Sequence, residues 1–152
     1  MSMLIEEKEV TAVNLAIELE RAVIQHVLDD DGSIYVTEDG LFPFWVRIHK
    51  GSGFVSLKTH TKFKRSTSHV QKLELCNEIN TKNFMVTAYA QDDLLCLDYV
   101  LIYRDGLLRE TFVRGCRQFA RNVEKGLEQV DPENNFVLPP GKTEIEDEKG
   151  GA

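Results

Sequence analysis

Two runs of carboxylates are the first candidates for chemistry in this sequence. Asp29-Asp30-Asp31-Gly32 could ligate calcium, but the ligand spacing of an EF-hand is absent, so we interpret this run as the end of a helix. Asp92-Asp93 could act as an acid and a base. Because neighbouring residues of a strand turn point to opposite sides and turns favour polar residues, we interpret this pair as a turn.

The histidines and cysteines show no spacing typical of a metal site or an activated nucleophile. No two histidines form a His-x-x-x-His pair, although His49 and His60 could approach each other across a hairpin. Cys76, Cys96 and Cys116 lie in apolar stretches without a Cys-x-x-Cys pair, which favours buried, reduced thiols. We therefore predict no catalytic residue, no metal and no cofactor. An enzyme assembled from residues distant in sequence is the less favoured alternative.

One stretch carries a pattern typical of a binding surface. Residues 40–73 contain no Asp or Glu, whereas the whole chain has a net charge of −7. The candidate partner-binding residues alternate aromatic and basic groups on the outward side of a predicted hairpin: Trp45, Arg47, His49, Phe54, Lys58, His60, Lys62 and Lys64. This side could bind an acidic peptide, stack bases beside phosphates, or remain a solvated or dimer-covered face.

The register of that hairpin follows from its apolar residues. A two-residue turn at Gly51-Ser52 places Ile48 opposite Val55 and Val46 opposite Leu57, whereas a shift of one residue destroys this apolar set. We therefore expect that turn, or a four-residue loop with the same register. Gly51 is predicted to have a positive φ.

The elements that position these residues alternate in an α+β order. Thr11 is a predicted N-cap, and Ser68 and Gln71 form a predicted capping box for a helix ending near Asn80. The predicted order is a helix (12–28), a three-stranded antiparallel meander beginning at Ile34, a helix, a two-stranded antiparallel hairpin (84–90 and 94–103) and a C-terminal helix (109–130). We expect a single sheet packed by helices.

Length and composition predict one domain with an acidic extension. The chain has 152 residues, of which 42% are hydrophobic, enough for one core. We place a single α+β domain at residues 1–130 and an acidic, mostly flexible C-terminal tail at residues 131–152, in which Phe136–Leu138 could dock locally. No apolar run approaches the roughly 18 residues of a spanning helix, so we expect a cytoplasmic protein that binds no membrane.

The segment Leu73–Tyr103, followed by Thr111–Phe119, carries a family resemblance. It combines an Asn-x-x-Asn helix end (Asn77 and Asn80), an apolar strand, an acidic hairpin, a second apolar strand and an amphipathic helix. In this pattern the chain resembles the YbjN family within the type III secretion chaperone-like fold, over most of Ala12–Val130. The resemblance implies a small, soluble, bacterial-type α+β homodimer with a regulatory or protein-binding role.

Two functional hypotheses follow from the residues and the resemblance together. The first is a non-enzymatic, homodimeric protein-binding module, either chaperone-like or a regulatory adaptor, whose partners are itself and a protein or peptide client. The alternative is a binder of an anionic ligand or single-stranded nucleic acid through the basic hairpin 44–65. The acidic net charge makes nucleic acid the less favoured partner.

Overall fold

The computed structural model describes residues 2–144, and its α+β architecture confirms the predicted class. The elements are β1 (Leu4–Ile5), α1 (Ala12–Arg21), β2 (His26–Leu28), β3 (Ile34–Val36), β4 (Phe44–His49), β5 (Phe54–Lys62), α2 (His69–Lys82), β6 (Thr87–Gln91), β7 (Leu94–Ile102), β8 (Leu107–Leu108) and α3 (Arg109–Val130). The main sheet has the strand order β2-β3-β4-β5-β7-β6, and β1 pairs with β8 in a second, two-stranded sheet that the sequence did not predict. No helix in this part of the chain is long and apolar enough to cross a membrane.

The first helix is shorter than predicted. It ends at Arg21 instead of Leu28, because Val23 adopts a left-handed conformation with φ of 58°. The Ile24 amide then donates to the Leu19 carbonyl at 2.9 Å, which closes the helix end. Residues 26–28 pair with β3 instead of continuing the helix. Short apolar runs fit the periodicity of a helix and that of a strand equally well. Here the pairing with β3 decides the conformation.

The same correction changes the role of the Asp29–Gly32 run. It is the turn between β2 and β3, so its interpretation as a helix end was wrong. The Asp29 amide donates to the Ser33 carbonyl at 2.8 Å, and Gly32 has φ of 85°. The antiparallel meander therefore has four strands, β2 to β5, instead of three.

The predicted register of the β4–β5 hairpin is confirmed. Ile48 pairs with Val55 and Val46 with Leu57. The connection is the four-residue alternative, residues 50–53. The positive φ belongs to Gly53 (72°) and not to Gly51, so that detail of the prediction was wrong.

The capping box of α2 is confirmed, and the helix extends to Lys82, slightly beyond the predicted end. The Ser68 hydroxyl accepts from the Gln71 amide at 3.1 Å, and the Gln71 side chain accepts from the Ser68 amide at 2.9 Å. The Asn80 side chain holds β6: its Nδ2 donates to the Ala88 carbonyl at 3.0 Å, and its Oδ1 accepts from the Ala88 amide at 2.7 Å. Asn80 thus has the structural role that its position predicted.

The second hairpin and the last helix follow the prediction closely. β6 and β7 turn at Asp92-Asp93, with Ala88 opposite Leu97 as expected. However, β6 begins at Thr87, and Phe84 lies outside the strand with its side chain fully exposed. α3 has the predicted bounds.

Contacts group the described residues into two compact units. Unit 1 comprises the residues up to Lys58 together with Tyr99–Arg121, and unit 2 comprises Thr59–Asp98 and the residues from Asn122 onward. In unit 1, Phe119 of α3 packs edge-on against Phe44 of β4, with ring centroids 5.4 Å apart and both side chains fully buried. The predicted single domain, residues 1–130, stays a prediction.

Unit 2 contains the segment that follows α3. The buried Asp131 carboxylate accepts hydrogen bonds from the amides of Asn135, Phe136 and Val137 at 2.7, 3.1 and 2.9 Å. Val137 forms a β-bridge with Phe63, and both are buried. Phe136–Leu138 thus dock locally, as the sequence allowed. Residues 145–152 of the predicted tail lie outside the described part of the chain.

Candidate functional site

Five of the predicted partner-binding residues lie on one side of the β4–β5 hairpin in unit 1. Trp45 pairs with Lys58, Arg47 with Ser56, and His49 with Phe54. These side chains are exposed or half-buried, whereas the alternate residues Phe44, Val46, Val55 and Leu57 are buried. Since side chains of a strand alternate between its two faces, the pairing assembles an outward surface.

Two aromatic contacts order this surface. The rings of Tyr35 and Trp45 stack with centroids 4.6 Å apart, across the β3–β4 pair. His49 and Phe54 lie 4.5 Å apart in a tilted arrangement, and a His49 ring nitrogen lies 2.9 Å from the Ser56 hydroxyl. The aromatic side chains are therefore held in place by neighbours of their own sheet.

Arg47 is occupied by the β2–β3 turn. Its Nε and Nη2 donate to the Ser33 hydroxyl at 3.1 and 2.9 Å, and Nη2 lies 3.5 Å from the Asp31 carboxylate. The Ser33 amide donates to that carboxylate, and with the nearby Arg47 it holds the pKa of Asp31 below its ordinary value. The β2–β3 turn thus orients an arginine of the predicted surface.

Two residues of β7, not included in the candidate site, extend the same surface. The Tyr103 amide, just past the end of β7, donates to the carbonyl of Gly53, just before β5, at 3.0 Å. This antiparallel contact puts Ile102 beside Phe54. Val100 and Ile102 are 44% and 73% exposed. We call the surface formed by Tyr35, Trp45, Arg47, His49, Phe54, Lys58, Val100 and Ile102 the outer face.

The outer-face residues of β3 and β7 were missed for a physical reason. The alternation of apolar residues in β7 was visible in the sequence, but which strand neighbours β5 is a long-range property. Tyr35 likewise reaches Trp45 only through the β3–β4 pairing. A local pattern identifies the faces of a strand and not its partners.

The other three predicted residues belong to unit 2. His60 and Lys62 are exposed on the second half of β5, and the backbone amide of Lys64 donates to the Phe136 carbonyl at 2.8 Å. His49 is paired with Phe54, six residues before His60 on the same strand, so the register does not make the two histidines cross-strand neighbours. Within residues 2–144, no group of three or more His, Cys, Asp or Glu side chains could hold a metal ion.

The cysteines are buried free thiols, as predicted. Burial raises the pKa of the Cys116 thiol strongly, and burial together with the neighbouring Cys96 raises that of Cys76. A raised pKa keeps both thiols protonated near neutral pH. They therefore lack the thiolate that a nucleophile needs.

Comparisons with known proteins agree with this architecture. A model of the YbjN family, described as "Putative bacterial sensory transduction regulator", matches residues 11–132. No curated protein matches the sequence.

Solved structures of other proteins share the fold. The crystal structure of YbjN, "a putative transcription regulator from E. coli", aligns with a TM-score of 0.69 and 17% identity, over 84% of this chain and 95% of that chain. The structure of the HopA1-SchA chaperone-effector complex contains a chain that aligns with a TM-score of 0.52 and 16% identity, over 74% of this chain and 86% of that chain. Both resemblances predicted from the sequence are confirmed at the level of fold, and the family match over residues 11–132 shows that this chain belongs to the YbjN family.

Proposed function

We propose that this chain is a non-enzymatic, protein-binding regulator or adaptor whose protein partner docks on the outer face. The observation that carries the proposal is the exposed apolar surface of unit 1. Ile102, 73% exposed, lies beside Phe54, and the stacked pair Tyr35 and Trp45 belongs to the same side of the sheet. Burying such groups in an interface gains about 25 cal/mol per Å² of apolar area.

The mixed chemistry of the outer face supports a protein as its partner. Protein interfaces combine aromatic anchors with arginine and are rimmed by polar groups. Trp45 and Phe54 supply rigid aromatic area, and Arg47 and Lys58 lie on the same side of the hairpin. The family description as a regulator and the similarity to a chain from a chaperone-effector complex support the same class of function.

A captured partner tests the outer face directly. We expect immobilised wild-type protein to retain a bacterial protein that Ile102→Arg no longer retains, since a charge at the centre of an apolar contact opposes its burial. Val70→Arg is the matched control, because Val70 is 60% exposed on α2 of unit 2. Equal retention by all three proteins would reject the outer face as the docking surface.

Self-association is part of the proposal and uses a different surface. Val13 and Ile17, four residues apart on α1, are 58% and 38% exposed and therefore share one apolar stripe. We propose that this stripe contacts the same stripe of a second copy in a two-fold homodimer. Light scattering should give twice the monomer mass, and Ile17→Arg should give the monomer while Val70→Arg should not. A wild-type monomer at all concentrations excludes the homodimer.

The alternative function, an anionic-ligand or single-stranded nucleic-acid binder using hairpin 44–65, has weaker support. Arg47 already engages Ser33 and Asp31, which reduces the positive charge that the hairpin offers to a phosphate backbone. A titration with single-stranded DNA at low salt tests it. The alternative requires binding that weakens steeply as ionic strength rises.

A further inference from the structure

A cleft in unit 1, separate from the outer face, has four arginines among its lining residues. Its volume is 710 Å³, within the range of small-molecule sites. Four arginines from the end of α1 and the first half of α3 line it: Arg21, Arg109, Arg114 and Arg117. Apolar side chains of Met3, Leu108 and Val113 also contribute to the lining.

The protein itself holds three of these guanidinium groups in position. Glu18 is only 5% exposed, and its carboxylate pairs with Arg109 and, at 3.0 Å, with Arg21. Arg117 donates from Nη2 to the Ala22 carbonyl, just past the end of α1, at 2.9 Å. A guanidinium anchored through one nitrogen keeps further N–H groups available, and its orientation costs little entropy on binding.

The charges of the cleft favour a dianion. Its lining residues include four arginines and two glutamates, Glu18 and Glu110, a formal surplus of two positive charges. Both side chains of the Arg114–Glu110 ion pair are exposed, so solvent screens their attraction. A ligand can therefore replace Glu110 as the partner of Arg114 at little cost. Arg117 pairs with no carboxylate among the described residues. α3 begins at Arg109, and its N-terminal dipole adds positive potential at the same edge.

We propose that this cleft binds a small phosphorylated organic ligand of about mononucleotide size. A phosphate monoester carries a charge of about −1.5 to −2 at pH 7, which matches the surplus. The guanidinium forks of Arg114 and Arg117 bind its oxygens in pairs. Leu108 and Val113 contact the organic part, so the ligand binds more tightly than inorganic phosphate. This effector site goes beyond the proposed protein-binding function and does not depend on it.

Calorimetric titration of the full chain tests the proposal, with AMP, glucose 6-phosphate, inorganic phosphate and adenosine as probes at low ionic strength. We expect at least one of the two phosphate esters to bind, to bind more tightly than inorganic phosphate, and to weaken as salt is added. Adenosine, which lacks the phosphate, should not bind. The proposal is overturned if neither ester binds at millimolar concentration, or if adenosine binds as well as AMP.

Variants of α3 distinguish a specific binding site from general electrostatic attraction. Arg117→Lys keeps the charge and removes the fork, so it should weaken the bound ester about tenfold, or 1.4 kcal/mol. Arg114→Gln changes an exposed side chain and should weaken binding without affecting the fold. Arg121→Lys is the matched control, since Arg121 is exposed on α3 and does not line the cleft. An equal loss in the Arg121 and Arg117 variants would also overturn the proposal.

Discussion

At the residue scale, the last position of the β4–β5 loop accepts only glycine without strain. Gly53 has φ of 72°, and a Cβ added there would lie 2.6 Å from Nε of Arg104. Gly51, in the same loop, has no positive φ and nothing within 4 Å of an added Cβ. The two glycines therefore differ in what they contribute, and the positive φ that the sequence predicted for Gly51 belongs to Gly53.

We expect Gly53→Ala to lower the free energy of unfolding by about 2 kcal/mol, because it combines a strained backbone with a close contact. Gly51→Ala should change it little or raise it slightly, since alanine restricts the unfolded chain. Urea denaturation of both variants measures the difference. A larger loss at Gly51 than at Gly53 would contradict the observed loop conformation.

The buried thiols lead to a second prediction at this scale. Because burial raises the pKa of Cys116, the folded protein contains far less of its thiolate than the unfolded chain at the same pH. An aromatic disulfide reagent should therefore react with Cys116 at least about a hundredfold more slowly in the native protein, since burial both suppresses the thiolate and blocks access of the reagent. Thiol counting before and after adding guanidinium measures this, and rapid native labelling of Cys116 would contradict its burial.

At the element scale, the end of α1 depends on a residue poorly suited to its conformation. Val23 is β-branched and has φ of 58°, and its side chain is 82% exposed. A left-handed conformation costs a residue other than glycine roughly 1–2 kcal/mol. The pairing of β2 with β3 and the burial of Ile24 offset this cost.

Val23→Gly should therefore stabilise the protein, by about 1 kcal/mol after the larger entropy of the unfolded glycine is counted. Little apolar burial is lost, since the valine side chain is exposed. The same substitution at Val13, within α1, should destabilise by about 0.5–1 kcal/mol, because glycine weakens a helix. Thermal unfolding of the two variants should shift in opposite directions. A lower midpoint for Val23→Gly would show that the helix does not end there as described.

At the scale of the whole molecule, the segment after α3 belongs to the packed structure of unit 2. Asp131 binds three amides of residues 135–137, and Val137 and Leu138 are buried. The Leu138 amide also donates to the Lys62 carbonyl at 2.8 Å. Removing this segment would expose apolar surface and leave backbone groups of β5 without partners.

We expect the free energy of unfolding of a chain ending at residue 130 to be at least about 3 kcal/mol lower than that of the full chain. Two large apolar side chains and several hydrogen bonds are lost with the segment. A chain ending at Glu144 should keep the stability of the full protein, because it retains Asp131 and residues 136–138. Chemical denaturation of the three chains compares them. Equal stability of the chain ending at residue 130 would instead support the predicted domain boundary there.

Much of the fold follows from local patterns. The bounds of α3, the Ser68–Gln71 capping box and the Ile48–Val55 register were predicted because each depends on residues close in sequence. The end of α1 was not, since residues 26–28 fit either a helix or a strand until β3 is beside them.

The candidate site likewise has a part that the sequence predicted and a part that it did not. Alternation along β4 and β5 predicted which residues point outward, including Trp45 and Phe54. The contribution of Ile102 depends on β7 lying beside β5, and the arginine cleft depends on Arg21 and Arg117, far apart in sequence, meeting at the end of α1. The sequence by itself therefore determined most of the elements, their faces and the family, but not β1, β2 and β8 or the end of α1. Only the tertiary structure decided which faces adjoin, because periodicity is a local property and strand and helix partners are chosen by packing over long separations in the chain.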